Sequence, residues 1–243
     1  MLINCDIKGL EVVVAAELSD DKVLKNEIIS GVDTHGDNQK RFSLPDRVTA
    51  KRFIFKLLYG ATAYGYSVDS DFLGVGYSEK RWQEVIDEFY NKYQGIAKWH
   101  TRIILEAKEK GWLSIPSGRS YEFRPKQLAR GDLKWPLTQI KNYPVQGFGA
   151  DLVMLARIEF FRNFMASGLT GYFIQTVHDS LVIDSPLQNV EKIVNLLTDA
   201  VDKVPLLCYN NWKYNFTLPL TCEIQVGKNK KELYDYKQWK ESL

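Results

Sequence analysis

The sequence predicts an α+β fold, with a helical insertion between its first strand and a later hairpin. Three observations predict it. The chain opens on an apolar, strand-like stretch, LINCDIKGLEVVV at 2–14, in which Asp6 is the first acid. A later segment, YFIQTVHDSLVID at 172–184, reads as two apolar strands flanking His178 and Asp179. Helical patterns fill much of the span between them, without repeats, low-complexity tracts or flexible linkers.

The totals bound the answer. With 243 residues, 45% hydrophobic, the chain can build one large globular domain or two closely joined subdomains. Its 13% aromatic content excludes a disordered chain. Basic and acidic residues number 32 and 30, so any basic patch must come from distribution rather than total charge. Cys5, Cys208 and Cys222 are odd in number and widely spaced, which suits no disulfide framework or zinc cluster and implies a reducing compartment. No apolar run reaches the length of a membrane span, and the N-terminus lacks a signal-peptide pattern. A soluble, intracellular protein is expected.

In chain order, residues 46–59 (DRVTAKRFIFKLLY) are expected to form a helix, with Pro45 and Asp46 as start signals and Gly60 as a stop. Residues 78–110 form a long amphipathic helical region with Ser78 as N-cap, a break at Gly95 and an end near Gly111. Residues 112–124 alternate as a hairpin around Pro116-Ser117-Gly118, and 125–137 read as a loop. Pro144 is expected to precede a helix, VQGFGADLVMLARIEFFRNFMA, apolar at spacings of three and four. A helix near 188–202 and strands near 216–226 finish the chain.

On the first helix, Arg47, Lys51, Phe55 and Tyr59 recur every four residues and share one broad face roughly 18 Å long. Two cations followed by two rings would match a nucleotide laid along the helix. The phosphates would lie at Arg47 and Lys51, with sugar and base near the rings. A solvated basic edge beside a buried aromatic stripe would have the same spacing. Asp6 ends a strand segment and Asp179 lies between two strands. Acids there are costly unless exposed at a turn or occupied by a cation. Each suits a turn or cap by itself; brought together, the two could hold two Mg²⁺ ions.

Several segments, taken in order, resemble the family A (DNA polymerase I-like) DNA polymerases. DIKGLEVVVAAELS (6–19) resembles motif A, with Asp6 followed five residues later by Glu11. Asp33-Thr34-His35 fits the Asp-x-His preceding motif B, which RVTAKRFIFKLLYG (47–60) resembles. NYPVQGFGADL (142–152) is similar to the segment that sets Asn and Gln against primer–template DNA. VHDS (177–180) resembles motif C, and GKN (227–229) the last palm strand. KGLE, TQIKNYPVQGFGADL and VHDS look most like phage-encoded members, which would act in a bacterial host's cytoplasm.

The resemblance implies a partial right-hand polymerase fold, an antiparallel palm sheet with an inserted helical fingers subdomain: palm at 1–32, fingers at 33–110 and palm again at 111–243. It implies a DNA-directed DNA polymerase that uses two Mg²⁺ ions, dNTPs and primer–template DNA. Asp6 and Asp179 would be metal ligands. Arg47, Lys51 and His35 would bind the triphosphate, with Lys51 also the candidate general acid. Phe55 would stack on sugar and base. Tyr59 would pair with Glu11 under the sugar, and Glu11 would exclude a ribose 2′-hydroxyl. His178, Asn142 and Gln146 would face the primer terminus and minor groove. Blander roles stay open: a turn cap for Asn142, a satisfied hairpin histidine at His178, an exposed strand residue at Glu11. Val13 stands where the family commonly has Arg, and Ser180 where it commonly has Glu.

Only the C-terminal part of the family's polymerase domain is matched. An apolar motif A strand needs neighbours on both sides, some of which would normally come from the missing half. The expectation is therefore a split polymerase, with a second polypeptide supplying thumb, remaining palm and possibly a 3′–5′ exonuclease. Two other readings compete, a non-catalytic nucleotide- or DNA-binding remnant or accessory replication protein, and an unrelated two-metal phosphotransferase or nuclease.

Overall fold

The computed structural model describes residues 1–129 and 131–242. Strand β1 (Leu2–Ile7) leads into α1 (Leu10–Ser19), α2 (Lys22–Ile29), α3 (Thr34–Arg41), α4 (Arg47–Leu58) and α5 (Ala63–Val68). Helices α6 (Glu79–Lys92) and α7 (Gln94–Lys110) precede two small ribbons, β2 (Trp112–Ser114) with β3 (Ser120–Glu122), and β4 (Lys126–Gln127) with β5 (Leu133–Lys134). The long α8 (Leu137–Ala166) is followed by β6 (Tyr172–Val177) and β7 (Ser180–Asp184). Then come α9 (Val190–Asp202), α10 (Val204–Trp212), β8 (Cys222–Gly227), β9 (Leu233–Asp235) and α11 (Tyr236–Glu241). The expected α+β class, an antiparallel sheet with inserted helices, is what the chain adopts.

Two compact units result. One comprises Met1–Leu10 with Phe148–Leu243, the other Glu11–Gly147. The first holds an antiparallel five-stranded sheet, ordered β6-β7-β1-β8-β9. Side chains on a strand alternate between faces, and β1 obeys this: Ile3, Cys5 and Ile7 are buried, whereas Leu2, Asn4 and Asp6 are half-buried. The α8 ring Phe160, itself buried, lies 6.4 Å from Phe173 of β6, and α9 lies against β1 and β8.

The second unit is built around aromatic packing. Phe53 of α4 is fully buried, with the rings of Phe42, Tyr66, Trp82 and Phe89 between 5.1 and 6.2 Å away. Burying such a ring contributes about 1.5–3 kcal/mol. The Tyr66 hydroxyl donates to the Phe53 carbonyl, so the core leaves no phenol orphaned there. Helix α4 has the expected ends: Asp46 accepts from the Thr49 amide at its start, and Gly60 follows Tyr59 with φ +87°.

Several expectations need correction. Glu11 lies on α1, not on a strand, because the chain turns at Lys8-Gly9 and the apolar run VVVAA is buried as a helix. The break in 78–110 falls at Tyr93, not Gly95. Gly95 opens α7 for a different reason: a Cβ there would come 2.6 Å from Asp21 Cα. The Asp21 carboxylate accepts from the amides of Gly95, Ile96 and Leu24, serving the starts of two helices.

Pro144 lies inside α8 rather than before it. Proline removes one amide donor and strains the preceding turn. The extra turns are held by the buried Ile140 and by Tyr143, whose ring meets Tyr121 and Phe123 of the hairpin. The loop expected at 125–137 contains the ribbon β4–β5, with Arg130 outside the described residues. Of the expected 216–226 strand region only 222–226 is strand, within β8, and α10 precedes it. Gly227 ends β8, and β9 pairs with it, so the segment 227–229 is not the final strand. Finally, β1 takes both neighbours, β7 and β8, from this chain. The expected need for an outside strand beside it does not arise.

Candidate active site

In the sheet unit, the register brings the two expected carboxylates to one end. Asp6 of β1 pairs with Ser180 of β7, and the Ile7 amide donates to the Asp179 carbonyl at 3.1 Å. Val177 pairs with Ser180 across the β6–β7 hairpin, which leaves His178 and Asp179 as its two turn residues. His178 takes φ +53°, a left-handed conformation that costs a non-glycine residue about 1–3 kcal/mol. Its side chain is exposed, and Asp179 is half-buried. Ser180 is buried and donates its hydroxyl to the Val177 carbonyl at 3.0 Å, so this departure from the motif closes the hairpin.

Asp6 on β1 and Asp179 in the adjoining β6–β7 turn supply hard oxygen donors, at the margin of the core rather than within it. Asp179 forms no ion pair among the described residues. Magnesium takes few protein carboxylates and completes its shell with water and phosphate oxygens, so this donor set fits it. Among the described residues there is no group of three or more His, Cys, Asp or Glu that could hold a metal.

In the helical unit, Arg47 and Lys51 are exposed and Phe55 and Tyr59 half-buried, as the four-residue spacing requires. The Lys51 ammonium lies 5.6 Å from the centre of the Phe55 ring, and the His35 ring 5.9 Å from it. Burial, followed by the charges of Arg47 and Lys51, lowers His35 to about 4, so the imidazole is neutral near pH 7. Its Nδ1 is buried without a hydrogen-bond partner. His35, Arg47, Lys51 and Phe55 thus form one cluster. Asp33, noted only as part of a motif, pairs with Arg47 Nε at 2.9 Å. That hydrogen bond, ahead of the charge itself, brings Asp33 down to about 2.

At the other end of α4, Gln146 donates to the Tyr59 hydroxyl at 2.6 Å. Sequence spacing gives no sign of this pair, 87 residues apart. Asn142 is half-buried one turn earlier on α8, its Oδ1 buried and unsatisfied. Glu11 is half-buried in the first turn of α1. No helix among the described residues is long and apolar enough to cross a membrane.

Comparison with known proteins gives the family and the fold. Residues 1–232 match the profile of DNA polymerase family A. DNA polymerase I of Aquifex aeolicus is 27% identical over 81% of the chain, and the thermostable DNA polymerase I of Thermus aquaticus 26% over 94%. The chain spans 34% and 27% of those two proteins. A solved structure, the POL domain of Pol1 from M. smegmatis in complex with DNA primer-template and dNTP, superposes with a TM-score of 0.72 at 18% identity. It covers 94% of this chain, which in turn covers 39% of it.

Proposed function

The chain belongs to DNA polymerase family A, and from that premise we propose that it is the active-site portion of a DNA-directed DNA polymerase, extending a primer 3′-hydroxyl with dNTPs. One observation carries this most: the β1–β7 register, which sets Asp6 opposite Ser180 and so beside Asp179. It supports the reading because two acids far apart in sequence, one on β1 and one in the β6–β7 turn, come to neighbouring backbone positions at one end of the sheet.

Asp6 and Asp179 would hold two Mg²⁺ ions, which when bound activate the 3′-hydroxyl and stabilise the pyrophosphate leaving group. Arg47 offers its guanidinium fork and Lys51 a point charge to the triphosphate, while neutral His35 adds a hydrogen bond without adding charge. Lys51 would donate a proton to the departing pyrophosphate. Phe55 would stack on sugar and base, with Tyr59 and Glu11 beneath the sugar and Glu11 excluding a 2′-hydroxyl. Asn142, Gln146 and His178 would meet the duplex minor groove and primer terminus.

The proposal includes the remaining portion of a polymerase domain, thumb and further palm, carried with any exonuclease on a second polypeptide in a phage-infected bacterial cytoplasm. The phage-like motif variants favour the phage setting; strand β1, satisfied on both sides, lends the second polypeptide nothing. The test is primer extension with Mg²⁺ and dNTPs, wild type against Asp179→Ala, with and without the polypeptide encoded beside this one. Extension by the wild type, stimulated by the second polypeptide and lost in Asp179→Ala, is expected. Extension that survives Asp179→Ala would sink the site assignment, and no extension in any mixture would sink the polymerase reading.

A further inference from the structure

Helix α8 turns 100° per residue, so Lys141, Val145, Thr138, Asn142 and Gln146 fall within an arc of about 140°. This is the face that meets the end of α4, where Gln146 bonds Tyr59. Lys141 is half-buried there. Its stem lies against the turn after Tyr59: a Cβ on Gly60 would come within 3.2 Å of Lys141 Cδ and of Thr138 Cα. The ammonium is 6.0 Å from the centre of the Tyr90 ring.

Beyond the face of the Tyr90 ring, no group among the described residues offsets this cation's loss of water. Burial alone shifts Lys141, downward, with no charged partner contributing. Two other partly buried lysines are answered by acids: Lys25 by Glu17 and Asp20, Lys92 by Glu27 and Asp37. No carboxylate lies within ion-pair distance of Lys141 among the described residues. Behind it, the Tyr90 hydroxyl bonds His100 Nδ1 at 3.1 Å. Burial pushes Tyr90 up to about 12 and His100 down to about 3, so both are neutral near pH 7. Nor does Lys141 serve the end of α4, since the Lys56 and Leu57 carbonyls already accept from Ala61 and Gly60 at 2.8 Å. A half-buried cation set this way suits an anionic partner.

We propose that Lys141 anchors a phosphate site, taking a phosphodiester oxygen of bound nucleic acid beside Asn142 and Gln146. This rests on the polymerase reading but adds a contact that the motifs do not contain. A backbone contact of this kind fixes register without reading sequence, which suits a copying enzyme.

The test is the affinity of the full chain for a primer–template duplex, by fluorescence anisotropy across a KCl series, for wild type, Lys141→Met and Lys141→Arg. Methionine keeps the packing against Gly60 and removes the charge. Each phosphate neutralised contributes about 0.9 to the slope of log K against log salt. Lys141→Met should therefore flatten the slope by about 0.9 and weaken binding alike on unrelated sequences, while Lys141→Arg retains the wild-type slope. Wild-type binding with an unchanged slope in Lys141→Met, both proteins melting alike, would overturn the phosphate site alone. A wild type that binds no duplex at any salt would overturn the DNA reading and the site with it.

Discussion

Arg47 donates through Nε to both carboxylate oxygens of Asp33, at 3.0 and 2.9 Å, so one edge of the guanidinium is committed before any ligand arrives. The proposed phosphate contact would use the terminal amino groups. Because both partners are more than half exposed, the pair contributes under about 1 kcal/mol to stability. Its consequence is orientation. Asp33→Asn should raise the KM for dNTPs several-fold with kcat held within about twofold, the signature of lost ground-state positioning. Steady-state primer extension measures both, and a fall in KM would mean that Asp33 competes with phosphate instead.

His35 and His100 make stability depend on acid. Burial lowers His35 to about 4 and His100 to about 3, below the ordinary histidine value of 6.5. The unfolded chain therefore binds these two protons at higher pH than the folded one. Their contribution is fully present above pH 6.5 and is lost as pH falls towards 4 and 3. Urea unfolding at pH 7, 5.5 and 4.5 should give steadily lower stability. Replacing His100 with Gln should flatten that decline, and an unchanged decline would contradict the assignment.

Glu11 follows Asp6 by one turn and the start of a helix, not along a strand. On its proposed role of excluding a 2′-hydroxyl, its truncation to alanine should relax discrimination against rNTPs. Competition between dNTP and rNTP incorporation reads this directly, and unchanged discrimination would remove Glu11 from the sugar site.

Gly95 carries a stability prediction independent of function. Gly95→Ala would push a methyl group against Asp21, the carboxylate that caps α2 and α7. The loss should be roughly 1–3 kcal/mol, as for overpacking elsewhere. Equal unfolding midpoints for Gly95→Ala and wild type would contradict the close approach.

What is legible in the sequence follows from the range of the forces involved. Helix α4 is bounded by Asp46 and Gly60 and striped by Phe53 and Leu57, all local signals, and its extent is read within a residue. The β6–β7 hairpin is legible for the same reason, since His178-Asp179 interrupts two apolar runs. Errors arise where tertiary packing overrides a local cue. Gly95 looks like a helix breaker, yet its lack of a side chain serves Asp21, 74 residues away. Pro144 looks like a helix start, but packing of Tyr143 against the hairpin ring Tyr121 carries α8 past it. The site divides likewise: spacing suggests the Arg47–Tyr59 face, whereas Arg47–Asp33 and Tyr59–Gln146 are long-range pairs without a local signature.

The central claim is that Asp6 and Asp179 form one centre, and a double-mutant cycle on kcat/KM for single-nucleotide addition tests it most directly. If the two carboxylates hold the same metals, Asp6→Asn and Asp179→Asn should each lose about 10³-fold or more, and the double variant should lose little beyond either. Losses that multiply in the double variant, or near wild-type activity in either single one, would contradict it.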